Sequence, residues 1–305
     1  MNRFKSFLKF PFKFLCLGAL LSLLLWSGLA APGVTALGVT ALGVTAPGAA
    51  WAASPSPELE ALYRDLGDLY QRAFTATNAG DFVTAEGLWS EAIDRMPNNP
   101  ATWSNRGNAR VSQFKLEEAI ADFDHASELA PDQPGPYLNR GTAWEGLRQW
   151  ERAIADYNRA LALDPDDPVA LNNRGNAEGA RGNWDAAKQD FHRAAELAPG
   201  FALASINYAL ALYQLDEKPE GTRYLRNLVR RYSQAADPRA ALTAVLWDQG
   251  LQGDAESNWV AAINLDSRYR DLDWVANIRR WPPKLVVALD RFLKLESGGT
   301  NLKAG

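Results

Sequence analysis

The chain has 305 residues, of which 47% are hydrophobic and 22% charged, with a formal net charge of −4. That composition is ordinary for a globular protein and supplies enough apolar residue for one large or two small cores. The acidic balance argues against a nucleic-acid partner, because phosphate backbones need a clustered basic surface.

At the N-terminus, Arg3, Lys5, Lys9 and Lys13 precede the apolar run Phe14 to Trp26, the layout of a secretory signal. A low-complexity stretch follows, in which Gly-Val-Thr-Ala recurs at Gly33, Gly38 and Gly43 before Ala50-Trp51-Ala52. Cleavage after Ala52 fits best and gives a mature start near Ala53; an earlier cut after Ala30 is the alternative. A rival reading keeps the segment as an uncleaved anchor: Phe14 to Ala30 is 17 residues, and the apolar repeats beyond it extend toward the ~20 that a membrane span needs. Cys16, the one cysteine, opens the apolar run instead of closing it, so lipidation is not expected. Loss of residues 1–52 removes four basic and no acidic residues, takes the charge from −4 to −8, and leaves no cysteine for a disulfide, a thiolate metal site or a nucleophile.

Pro57 to Thr77 reads as one long helix, and from there a period of 34 residues governs the chain, with Pro97, Pro131, Pro165 and Pro199 each 34 apart. With these prolines at position 32 of a repeat, position 20 is Ala85, Ala119, Ala153 and Ala187, and position 27 is Ala92, Ala126, Ala160 and Ala194. Position 8 is Ala73, Gly107, Gly141 and Gly175, whereas position 24 is Trp89, Phe123, Tyr157 and Phe191. Small residues at 8, 20 and 27 let two antiparallel helices approach while the aromatic fills the remaining space, and the proline stops the second helix. Position 15 supplies the turn as Gly80 and Gly182 but is Phe114 and Arg148 in the other two repeats, which reads as a less strict turn. Weaker units begin at Ala202 and Ala236; in the first of them Gly221 replaces the alanine and Pro219 suggests a shifted or longer helix near Glu220 to Tyr232. Trp281-Pro282-Pro283 followed by Leu285, Val286, Leu289, Phe292 and Leu293 suits a terminal amphipathic cap.

These residues resemble the tetratricopeptide repeat (TPR) family. The resemblance implies an all-α, right-handed superhelical solenoid of about six helix pairs with a C-terminal capping helix. The expected organisation is a signal peptide over 1–52, a solenoid over 53–267 with repeats starting near 66, 100, 134, 168, 202 and 236, a cap over 268–296, and a flexible tail over 297–305. The family usually holds partners in the concave groove, on positions 2, 5, 6, 9, 12 and 13 of the first helices. Position 6 here is Asn105, Asn139, Asn173 and Asn207, and Asn108, Asn172 and Asn176 lie at neighbouring groove positions. Such a ladder offers amide donors and carbonyl acceptors to an extended peptide backbone; the alternative is that the asparagines bond neighbouring helices or face water. In the fifth repeat the groove turns apolar, with Leu203, Ile206, Leu210 and Tyr213, which could also allow a dimer. Arg106, Arg140 and Arg174 at position 7 stand where the family is usually apolar, and either pair with Asp122, Asp156 and Asp190 at position 23 or leave those carboxylates to solvent.

Chemistry is sparse. His125 and His192 are the two histidines, without metal-ligand spacing, and no glycine-rich phosphate loop is present, so no metal, cofactor or catalytic residue is expected. Trp103, Trp144, Trp150 and Trp184 fall on packing positions. The whole chain is also similar to small TPR proteins that cyanobacteria and chloroplasts send to the thylakoid lumen; the leader before the repeats, Asp273-Trp274 and Arg279-Arg280-Trp281-Pro282-Pro283 carry this. It implies a non-enzymatic lumenal or periplasmic adaptor that binds a protein or peptide, in assembly or maintenance of photosynthetic membrane complexes. The competing class is an anchored structural component of a bacterial envelope complex. Oligomeric state is left open.

Overall fold

A computed structural model of the chain describes residues 56–300. The expected leader and residues 301–305 of the expected tail lie outside the described residues. The chain divides into two compact units, 1–129 and 130–305, and every described element is helical. The first unit holds α1 (Pro57–Ala79), α2 (Phe82–Arg95), α3 (Pro100–Val111) and α4 (Leu116–Leu129). The second holds α5 (Pro134–Gly146), α6 (Trp150–Leu163), α7 (Pro168–Ala180), α8 (Trp184–Leu197), α9 (Ala202–Gln214), α10 (Lys218–Arg231), α11 (Ala236–Asp248) and α12 (Gln252–Leu265). A 3₁₀ turn at Ser267–Arg270, a π-helical turn at Trp274–Ile278 and α13 (Pro283–Thr300) complete it. Within each unit consecutive helices pack as antiparallel pairs, the expected all-α solenoid.

Local sequence sets where these helices start and stop. Pro100, Pro134 and Pro168 open the first helices of three repeats, where a missing N–H costs nothing. Asn99 caps α3 by accepting from Ala101 N at 3.0 Å, and Asp167 caps α7 by accepting from Val169 N at 2.8 Å and Ala170 N at 3.2 Å. The first helix of all six repeats then ends on a left-handed residue at position 15: Gly80, Phe114, Arg148, Gly182, Asp216 and Gly250, with φ between 57° and 86°. The turn expected to be lax is therefore geometrically invariant, and three side-chain-bearing residues accept a conformation that favours glycine because the pair cannot close without it.

The core is built at positions 8 and 24. A Cβ added to Gly107 would stand 2.6 Å from the Phe123 ring, one on Gly141 2.6 Å from Tyr157, and one on Gly175 2.7 Å from Phe191. The alanines at positions 20 and 27 of the first four repeats are at most 1% exposed. In the first repeat the ring is Trp89, whose buried indole N–H has no hydrogen-bond partner, a cost of placing an indole where the next three repeats carry Phe or Tyr.

One expectation is corrected. Helix α10 is neither shifted nor longer than its counterparts: it spans Lys218–Arg231, 14 residues like α6, α8 and α12. Asp216 makes the usual turn, and a Cβ added to the buried Gly221 would stand 3.3 Å from the Ala209 carbonyl oxygen, so glycine takes the place of the alanine at position 20. The terminal helix α13 packs against α11 and α9, the first helices of the sixth and fifth repeats, so it lies along the groove side of the stack. Leu285, Leu289 and Phe292 insert there beside Trp281, Val275 and Tyr269, and Phe292 meets Trp247 and Trp259 edge-on at centroid distances of 5.2 and 5.4 Å.

The glycine contacts make opposite predictions for one substitution. Gly141→Ala should lower stability by about 1–2 kcal/mol, because overpacking against the buried Tyr157 ring exceeds the helix-propensity gain of about 1 kcal/mol. Gly87→Ala, at an exposed site in α2 with nothing within 4 Å of the added Cβ, should raise it by about 0.5–1 kcal/mol. Urea denaturation of both variants checks the pair, and a stabilised Gly141→Ala would show that the ring gives way.

Candidate interaction site

The arginines at position 7 form the most regular polar feature of the repeats. Arg106 donates from Nε to Asp122 Oδ2 at 3.1 Å and from Nη2 to Oδ1 at 2.7 Å. Arg140 and Arg174 repeat this fork on Asp156 (2.8 and 2.5 Å) and Asp190 (2.8 and 2.7 Å). All three aspartates are buried on the second helix of the same repeat, so the solvent-facing alternative does not hold. The remaining guanidinium nitrogen reaches the preceding repeat: Arg106 Nη1 lies 3.2 Å from Ser90 Oγ, and Arg174 Nη1 lies 2.7 Å from Asn158 Oδ1. One arginine thus ties both helices of its own repeat to the one before, which a point-charge lysine would not do.

The first unit adds a second cluster. Glu86 of α2 accepts from Arg110 Nε at 2.9 Å, Gln113 Nε2 at 2.8 Å and Lys115 Nζ at 2.6 Å. Burial resists its charge, but Lys115, Arg110 and Gln113 outweigh burial and lower its pKa from 4.5 to about 2.

The asparagines of the expected ladder do not share one environment. Asn105 and Asn108 in the first unit, and Asn139 in the second, are half-buried and make no side-chain hydrogen bond among the described residues. Asn207, in contrast, is buried and donates to Asn172 Oδ1 at 3.0 Å and Asn176 Oδ1 at 3.2 Å, while Asn172 donates to Asn173 Oδ1 at 3.4 Å. This half of the ladder is a bonded cluster between α7 and α9.

What meets that cluster is the chain's own C-terminal segment. Arg279 donates from Nη2 to Asn207 Oδ1 at 3.3 Å and from Nε to Asp237 Oδ2 at 2.7 Å, with Nη2 on the same carboxylate. Asp237 Oδ1 also accepts from Trp281 Nε1 at 3.0 Å and Tyr269 OH at 2.7 Å. Arg280 bonds Glu145, the backbone N–H of Lys284 donates to Gln214 at 3.0 Å, and Lys284 Nζ pairs with Asp216 at 2.5 Å. Asp237, Asn207, Glu145 and Gln214 sit at positions 2, 6, 12 and 13 of their repeats, all groove positions. The apolar stretch expected to be open in the fifth repeat is largely closed: Ile206, Leu210 and Tyr213 are 5%, 3% and 3% exposed, and only Leu203 stays exposed.

Two tetratricopeptide repeat family models match, over residues 106–168 and 145–206. Residues 106–206 thus carry tetratricopeptide repeats. Among solved structures, it is similar to a tetratricopeptide repeat protein from Parabacteroides merdae ATCC 43184, at 21% identity and a TM-score of 0.57, over 77% of this chain and 87% of that one. It is similar also to a chain of the APC/C hetero-tetramer Cut9-Hcn1, at 19% identity and a TM-score of 0.56, over 68% of this chain and 44% of that one. A third likeness is to MamA, residue 41 to the end, from Desulfovibrio magneticus RS-1, at 15% identity and a TM-score of 0.50, over 54% of this chain and 93% of that one. At these identities the likeness is one of fold. No curated protein sequence matches significantly.

Tetratricopeptide repeat proteins generally act as non-enzymatic protein-interaction scaffolds, presenting extended concave surfaces. In this one, His125 and His192 are half-buried, each 3.5 Å from a glutamate of its own helix, with their rings tilted against Trp103 and Tyr208. Among the described residues no group of His, Cys, Asp and Glu could hold a metal ion, and no helix is long and apolar enough to cross a membrane. Residues that sequence reasoning passed over are Glu145, Asp237 and Gln214. Their signal was present: acidic residues at groove positions 12 and 2, and an Arg-Arg-Trp run after the last repeat.

Two measurements test these electrostatic ties. Asp156→Ala should cost about 3–5 kcal/mol by leaving Arg140 half-buried with its main partner gone, whereas Arg140→Met with Asp156→Leu should cost much less. Glu86 titrates lower in the folded chain than at 4.5, so its contribution is complete above pH 4.5 and is lost as pH falls toward 2. Thermal melts should therefore show Glu86→Gln less stable than wild type at pH 7, with the gap narrowing between pH 4.5 and pH 2; a constant gap would mean that the charge is immaterial.

Proposed function

We propose that the chain is a non-enzymatic adaptor that binds a segment of a partner protein along the groove side of its first helices. The observation that carries this is intramolecular: groove positions of the second unit already hold a non-repeat segment of the chain, through guanidinium, indole and backbone donors on Glu145, Asn207, Asp237 and Gln214. A surface that organises one such segment has the donors and acceptors to organise another. The asparagines with unspent amides extend that chemistry, Asn139 within the second unit and Asn105 with Asn108 within the first. Lys and Arg are not gathered at the groove positions of repeats two to four as a clamp on a terminal carboxylate would require, which disfavours a chaperone-tail receptor.

The place of action in this reading is outside the cytoplasm, in a thylakoid lumen or periplasm, with assembly or maintenance of photosynthetic membrane complexes as the role. Its support is sequence: the basic and apolar leader, the Ala50-Trp51-Ala52 site and the Arg279-Arg280-Trp281-Pro282-Pro283 run. The second reading, an anchored structural component of an envelope complex, is favoured by the 17-residue apolar run if it stays uncut.

Crosslinking and pulldown from native membrane and soluble extracts, with mass spectrometry of the protein's own N-terminus, separates the two. A mature end near Ala53 with photosynthetic membrane partners supports the lumenal adaptor; an intact Met1 with envelope partners sinks it. Against the captured partner, Asn139→Ala with Asn173→Ala should weaken binding about tenfold while leaving the helical circular dichroism intact, the loss expected for two hydrogen bonds of about 0.5–1.5 kcal/mol each. Unchanged affinity in a folded double variant would remove the ladder from the binding surface.

A further inference from the structure

The contacts of the C-terminal segment are unequal in kind. Arg279 and Trp281 are fixed among buried groups, and Trp281 shares the apolar core with α13, so this part of the segment stays. Arg280, between them, points elsewhere. Its backbone is left-handed, at φ 59°, a conformation that disfavours a side-chain-bearing residue, and its side chain is 31% exposed while the Glu145 carboxylate that it reaches is only 10% exposed.

Glu145 is built into α5 as an acceptor. Its Oε2 takes a 2.8 Å hydrogen bond from the hydroxyl of Tyr157, a ring held fully buried under Gly141. The other oxygen, Oε1, faces Arg280, whose guanidinium carbon also lies 5.6 Å from the centre of the Trp150 ring. A buried carboxylate fixed on one side and walled by an indole is a receptor for a planar cation, which can bond the oxygen edge-on while its face meets the ring. The receptor belongs to the repeat stack; the cation now in it belongs to Arg280, whose side chain is itself partly exposed.

We propose that Glu145, Tyr157 and Trp150 form a guanidinium-binding site that an arginine of the partner segment takes by displacing Arg280. This rests on groove binding as the function. It gives the partner a chemistry: an extended segment with an arginine that reaches position 12 of the third repeat, near the half-buried Asn139 of the same helix. Arg280 then holds the site closed until such a segment arrives, since a tethered competitor acts at high effective concentration.

The test is selection of a seven-residue random peptide display library on the full chain, on Arg280→Ala and on Arg280→Ala with Glu145→Gln, followed by fluorescence anisotropy with a selected peptide. Peptides taken by Arg280→Ala should carry arginine at one position. A representative should bind that variant about tenfold more tightly than wild type and lose about tenfold when its arginine is changed to lysine or when Glu145 is changed to Gln. Arg280→Gln replaces Arg280→Ala if the latter fails to keep its helical spectrum. Peptides selected without arginine, arginine enrichment that survives Glu145→Gln, or equal binding of the lysine peptide would each overturn the guanidinium site and leave groove binding standing. No peptide selected on any of the three proteins would overturn both.

Discussion

The constraint on which the structure depends is the closeness of two helices at position 8. In three repeats the backbone of a first-helix glycine lies so near the aromatic ring of position 24 that no Cβ fits between them. The ring is thereby buried entirely or nearly so, a gain of roughly 1.5–3 kcal/mol in transfer free energy per ring, and the helices are locked at one separation and one rotation. Everything else follows from that rotation. It places position 7 beside position 23, so that an arginine in a normally apolar site finds a buried aspartate at 2.5–3.1 Å in three successive repeats.

The regularity of this packing explains why so much of the fold could be read from residue spacing. Every repeat obeys the same local rules, so Ala85, Ala119, Ala153 and Ala187 each report the same burial, and a period of 34 reveals it without knowledge of any distant contact. The position-15 turn was less legible because its geometry is enforced by the flanking helices and not by the residue: Phe114 and Arg148 occupy the same left-handed conformation as Gly80 and Gly182. The degenerate fifth repeat was misread for the same reason, since Pro219 and Gly221 look like a broken pattern until the turn at Asp216 shows that the frame never shifted.

The candidate site was only half legible, for a physical reason. Periodicity locates groove positions, because these depend on neighbours one repeat away. It says nothing of what fills them, and Arg279 reaches across 72 residues to Asn207 while Arg280 reaches across 135 to Glu145. The run Arg279-Arg280-Trp281 stood out in the sequence as a family resemblance, but its partners became visible only when the chain was folded.

That contact changes how the asparagine ladder should be understood. Four asparagines at one repeat position invite the idea of a uniform track for a peptide backbone, yet uniform sequence does not give uniform availability. Asn207 spends its amide on Asn172 and Asn176 and its carbonyl on Arg279, so its polar valences go to stability. Asn139 spends none among the described residues. A buried polar group must be satisfied internally whereas a half-exposed one can wait for a ligand. Within the second unit, burial therefore divides the polar side chains: those of Asn207, Asn172 and Asn176, beside Arg279, hold the stack together, while Asn139 is left with hydrogen bonds to give.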